Sequence, residues 1–210
     1  MSLNKVYYSN TYMVLEFLFF FVFVPFITIE YLEGWWKVIP LLLIAVFFGM
    51  LLWKDPDFDK GNFIRFDRAY FRKSVPRIMI ISILLVWFTW WIFPHLFLKY
   101  PVKEFGRYVL TFFLYPIVSV LPQEIIYRMY FFQRYKKIVP EKYLLMLSNA
   151  IIFGLTHLIY DNLVAPIATF LVCWIFIFNY LKTQSLLNVS LEHYIYGLVM
   201  FTVGFGHFFA

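Results

Sequence analysis

Glu124, Arg128, His157, Glu192, His193 and, close to the C-terminus, His207 are the few ionisable side chains in the later apolar stretches of this sequence. A charge-free run from Tyr108 to Leu121 leads into Pro122-Gln123-Glu124-Ile125-Ile126-Tyr127-Arg128. On a helix Glu124 and Arg128, four residues apart, share one face. Charge within lipid is costly and turns toward a protein interior or a wet cavity. The polar stripe therefore calls for polar partners on other helices, and His157 and His193 are the candidates. A carboxylate and two imidazoles in a low-dielectric pocket can hold and activate a water molecule. Glu124 could accept its proton as general base, and a histidine could share that role or stabilise the oxyanion formed on an attacked carbonyl. Arg128 would steady the carboxylate or a neighbouring helix. Two histidines and a glutamate are also a catalytic zinc set, and spacing does not choose between a bare and a metal-bound water. The same residues could instead do no more than tie helices together.

The elements that must position these groups are membrane spans. Of 210 residues, 63% are hydrophobic and 14% charged, against about half and about a quarter in soluble domains; the mean hydropathy is +0.76. The net charge of +6 fits the basic residues of cytoplasmic loops rather than nucleic-acid binding. Cys173 is the single cysteine, which rules out an intramolecular disulfide and a multi-cysteine metal site. The first apolar segment is too long for a signal-peptide core and has no small-residue cleavage site, so a retained first span is expected.

A span needs about 20 mostly apolar residues. Seven candidates follow: Tyr12 to Ile29, Val38 to Trp53, Ile78 to Phe97, about Tyr108 to Tyr135, Tyr143 to Tyr160, Leu163 to Leu181, and Leu186 to Phe209. The expected fold is an all-α polytopic membrane bundle of about seven transmembrane helices, one integral membrane domain over residues 1–210. Between the second and third spans, Asp55, Asp57, Asp59, Lys60 and Gly61 resemble a calcium loop, but the glycine falls one place late and Phe66 stands where the closing glutamate belongs. A solvated loop is expected there. Phe63, Phe66, Tyr70 and Phe71 alternate with Arg65, Arg68, Arg72 and Lys73, the pattern of an amphipathic helix on an anionic membrane surface. His95, beside Pro94 at a span end, reads as an interfacial residue. Gly154, Gly197 and Gly204 permit close helix approach.

With a cytoplasmic N-terminus, Lys5, the seven basic residues from Lys54 to Arg77, Arg134, Lys136, Lys137, Lys142 and Lys182 fall inside, against Lys37, Lys99, Lys103 and Arg107 outside. The positive-inside bias therefore puts the N-terminus in the cytoplasm and the C-terminus outside, in the plasma (inner) membrane. At about 1.5 Å per residue, His193 and Glu124 lie roughly 10–15 Å from the cytoplasmic ends of their helices and His157 roughly 20 Å. Bringing all three together needs a tilted or offset fifth helix.

In order along the chain, Gln123-Glu124-x-x-x-Arg128, Phe153-x-x-x-His157 and His193-x-x-x-Gly197 resemble Glu-Glu-x-x-x-Arg, Phe-x-x-x-His and His-x-x-x-Asn of the CPBP intramembrane proteases. That family includes the type II CAAX prenyl proteases and the bacteriocin-processing, abortive-infection group. The likeness runs from about Leu110 to Leu198, within a core of about residues 105–209. It implies a membrane endopeptidase that cuts a membrane-associated peptide or protein with water activated by Glu124, His157 and His193, either with zinc or without a metal. The family pattern departs at two places. Gln123 replaces the first glutamate and cannot act as a base, though it can orient water. Gly197 replaces the asparagine. An extra acid, Glu192, precedes His193; it could aid Glu124 or pair with a basic group. The departures also fit a catalytically inactive homologue that binds a membrane peptide or partner. A small carrier built on Glu124 and Arg128 is disfavoured by the lack of two matching half-repeats.

Overall fold

A computed structural model describes residues 9–209; Lys5, part of the orientation argument, lies outside the described residues. The described residues form helices and turns with no strand. Among the described residues, seven helices are long and apolar enough to cross a membrane: α1 (Asn10–Tyr31), α2 (Gly34–Lys54), α3 (Arg68–Ile92), α4 (Phe105–Tyr135), α5 (Lys142–Tyr160), α6 (Val164–Thr183) and α7 (Leu186–Val203). The protein is an all-α polytopic helix bundle.

Polarity is distributed as lipid solvent demands. Ile80, Ile83, Leu84, Trp87, Trp90 and Trp91 of α3 are exposed, while Glu16, Glu124, Arg128, Arg134, Glu192 and His193 are buried. In water that arrangement would be inverted; in a bilayer, apolar surface is free to face out and polar groups must find partners within.

The chain forms two compact units. One runs to Phe58 and takes in Ile125–Trp174; the other holds Asp59–Glu124 and everything from Ile175 onward. In the first, Glu16 of α1 receives Arg134 Nε at 2.9 Å, Arg134 Nη2 at 3.0 Å, the Tyr130 hydroxyl at 2.8 Å and the Tyr135 hydroxyl at 3.2 Å. This clamp ties α1 to the end of α4. Phe48 of α2 stacks on Tyr130, with ring centroids 3.7 Å apart. Arg134 is thus a buried helix residue and not a loop charge; Arg77 likewise lies inside α3. Setting both aside leaves the loop bias pointing the same way.

The second unit packs α3 against α7. Asp67 caps α3 by accepting from Tyr70 N at 2.8 Å, the role a short acceptor plays at a helix start. Asn188 of α7 holds the Asp67 backbone on both sides: its amide donates to the Asp67 carbonyl at 2.9 Å, and its oxygen accepts from Asp67 N at 2.7 Å. This overturns the reading of Phe63 to Lys73 as a separate surface helix. A short turn, Lys60–Phe63, ends first, and Arg68 onward forms the opening turns of α3, which continues through Pro76. The third span therefore starts ten residues earlier than the hydropathy suggested and stops at Ile92, leaving His95 in an exposed turn. The last span also stops early: Gly204, at φ 97°, takes the left-handed conformation that ends α7, and His207 lies exposed in the turn Phe205–Phe209.

The aspartates of the calcium-like loop are engaged with the chain. Asp55 accepts from Asp57 N and Gln133 Nε2, both at 2.9 Å. Asp57 lies 3.6 Å from Lys137. Asp59 accepts from Gly61 N at 2.9 Å and pairs with Arg65; these two donors hold its carboxyl below the usual carboxylate value.

Candidate active site

α4 departs from regular α-helix on both sides of Glu124. Wide π-type turns run through Pro116–Val120 and Ile125–Tyr130, with one ordinary turn, Leu121–Glu124, between them. Pro116 and Pro122 lack the N–H that the regular ladder needs, and π-bulges gather at functional sites. Pro122, Gln123 and Glu124 are all buried.

In the second unit, Glu124 Oε1 and His193 Nδ1 are 2.7 Å apart. Glu124 is fully buried and His193 nearly so. With Glu124 ionised, its oxygen accepts and Nδ1 carries the proton, so the lone pair of the neutral imidazole is on Nε2. Phe176 of α6 stacks on the imidazole, at 4.5 Å between centroids and 19° between planes. Tyr115 stands edge-on to it at 6.2 Å and 79°. Gln123 donates its amide to Ser119 Oγ at 2.8 Å, and its buried Oε1 has no hydrogen-bond partner among the described residues. A buried carbonyl oxygen left unsatisfied costs about 1–3 kcal/mol; a water or substrate N–H at Oε1 would remove that cost.

Glu192, one residue before His193, faces different company. Arg77 reaches both its oxygens at 2.9 Å, Asn179 Nδ2 donates at 2.6 Å, and the Tyr196 hydroxyl at 3.0 Å. Of the two roles open to it from the sequence, pairing with a basic group is the one observed.

The first unit carries the rest of the motif. Arg128 Nη1 donates to Asn149 Oδ1 at 2.9 Å, and Asn149 Nδ2 donates to the Tyr127 carbonyl at 2.7 Å. The guanidinium lies 4.6 Å from the centre of the Phe153 ring. Arg128 thus steadies a neighbouring helix, α5. His157 lies in the tight turn Thr156–Tyr160 that closes α5. Its Nδ1 is 2.7 Å from the Phe153 carbonyl; a carbonyl can only accept, so Nδ1 is protonated and the neutral ring's lone pair is on Nε2. Phe153 therefore does three things: its carbonyl fixes the histidine tautomer, its ring meets that histidine at 4.9 Å, and its face receives Arg128.

The motif residues fall into two sets, Gln123, Glu124, Glu192, His193 and Gly197 in one unit and Arg128, Phe153 and His157 in the other. Among the described residues no group of three or more His, Cys, Asp or Glu side chains is arranged to hold a metal ion. Sequence reasoning missed Tyr115, Phe176, Asn149 and Asn179. The two asparagines carried a signal, being polar residues inside apolar helices; the two aromatics carried none.

Residues 105–199 match the family model described as type II CAAX prenyl endopeptidase Rce1-like. That segment, a little under half of the chain, is similar to the CAAX proteases. It contains the Glu124–His193 pair, the Arg128–Asn149 contact and His157, and its family connects the chain with intramembrane proteolysis. No curated protein and no solved structure matches the chain.

Proposed function

We propose that the protein is a membrane-embedded endopeptidase that hydrolyses a peptide bond of a membrane-associated protein or peptide, its reactive core spanning about residues 105–209. The observation that carries this reading is the buried 2.7 Å bond between Glu124 and His193 inside the family segment. A water beside this pair loses a proton to it as the oxygen bonds to the peptide carbonyl carbon, which turns the carbonyl oxygen into an oxyanion. The pair then returns the proton to the amide nitrogen, the C–N bond breaks, and a carboxylate and an amine leave. Transfer through a positioned group of this kind is worth about 10²–10⁴-fold in rate. Gln123 orients the water through Oε1. His157 serves the same reaction at the oxyanion, a role supported by the motif order and by its fixed tautomer. Glu192 and Arg128 hold helices in place.

The protein is inferred to sit in the plasma (inner) membrane with its N-terminus cytoplasmic, supported by the loop bias of lysine and arginine; reporter fusions at the two termini test this. The activity test is purified protein in proteoliposomes against membrane-anchored peptides, including one with a prenylated C-terminal cysteine, with products identified by mass. Wild type is expected to yield two fragments, and His193→Ala and His157→Ala to lose at least about 100-fold in kcat. A wild type that binds peptide but makes no product would instead identify a partner-binding homologue, and full activity in both histidine variants would remove the assigned site.

A further inference from the structure

Gly197 lies one helical turn beyond His193, on the same face of α7. A Cβ built on it would collide with the hydroxyl oxygen of Tyr115 and with Cε1 and Cζ of its ring. The space where a side chain at 197 would begin is therefore filled by the polar end of Tyr115. That tyrosine lies on α4, two turns before Gln123 and Glu124, and is half-buried. Its ring is held edge-on by His193 at 6.2 Å and by Phe201 at 5.2 Å, with Tyr194 at 6.3 Å. Rings at two levels of α7, His193 and Tyr194 on one turn and Phe201 about two turns on, flank the phenol, and its hydroxyl end lies against α7 at Gly197.

We propose that the Tyr115 hydroxyl, lodged over Gly197, is a catalytic hydrogen-bond donor beside the Glu124–His193 pair and that it stabilises the oxyanion formed from the attacked carbonyl. The inference rests on the peptidase reading above. In the family pattern the residue at position 197 is an asparagine, whose amide N–H is a donor. Here the helix gives up that side chain, and a phenol from α4 brings an O–H into the same space. A phenol is a stronger acid than an amide and so gives the stronger hydrogen bond to a developing negative charge. Gly197 is then part of the device, because any side chain there would expel Tyr115.

The test compares wild type with Tyr115→Phe, Tyr115→Ala, and Tyr115→Ala combined with Gly197→Asn, in the cleavage assay and in thermal unfolding in detergent. Tyr115→Phe keeps the ring and removes the donor. It is expected to lower kcat at least about tenfold, toward the 10²–10³ known for loss of one oxyanion donor, with KM within about twofold and the unfolding temperature unchanged. Tyr115→Ala is expected to lose as much, and adding Gly197→Asn to regain at least about tenfold, which a purely structural tyrosine would not permit. Wild-type kcat in Tyr115→Phe, with wild type itself active, overturns this inference and leaves the peptidase reading standing. A wild type that cleaves nothing overturns both.

Discussion

Two glutamates of the second unit, Glu124 and Glu192, are both fully buried, yet they are held in opposite ways. Glu192 meets an arginine, an asparagine amide and a tyrosine hydroxyl. An arginine never gives up its proton at accessible pH, so this site is a fixed charge pair that joins α3, α6 and α7. Glu124 meets an imidazole, the side chain whose proton moves near neutral pH. Glu16 repeats the first arrangement in the other unit, with Arg134 and two tyrosines. Burial alone therefore does not mark a reactive carboxylate in this protein. The partners differ: a guanidinium at Glu16 and Glu192, an imidazole at Glu124, and only the second suits the proton transfer proposed above.

Breaking the clamps should cost stability. The largest effect is expected for Arg134→Ala, because both partners are buried, each with a side chain about 4% exposed. It leaves Glu16 uncompensated, at about 3–5 kcal/mol, read as a fall in unfolding temperature in detergent. Arg77→Ala should cost less, about 1–3 kcal/mol, because Arg77 is itself 38% exposed and Asn179 and Tyr196 remain on Glu192. On the reactive side, Gln123→Ala removes the orphan acceptor and should lower kcat about tenfold, near 1.4 kcal/mol, without moving the unfolding temperature. Asp59→Asn should matter least. The folded carboxyl of Asp59 titrates below its unfolded value of 3.8, so its contribution is present above that value and lost as pH falls through the folded one. The variant should be slightly less stable than wild type near neutral pH, and the difference should vanish in the acid limb of the unfolding curve.

Much of this division was legible in the sequence. Seven apolar stretches mark the seven helices, and Glu124, Arg128, His157 and His193 stand out because ionisable groups are rare in such stretches. The boundaries of α3 were not legible. Arg68 to Arg77 has the same basic and aromatic alternation whether it lies on a membrane or begins a span, and the deciding contact, Asp67 with Asn188, spans 121 residues. The clamps were hidden for the same reason: Glu16 looked like an interruption of a span and Arg134 like a loop charge, 118 residues apart. Gly197 read as a lost side chain, since no local pattern announces that Tyr115 fills its place.

The most direct measurement is the single-turnover cleavage rate of Glu124→Gln, with Glu192→Gln as its matched control, at a temperature where both remain folded. The account predicts a loss of at least about 100-fold for Glu124→Gln and a near wild-type rate for Glu192→Gln, whose cost appears in stability. A wild-type rate for Glu124→Gln, or a loss confined to Glu192→Gln, would contradict it.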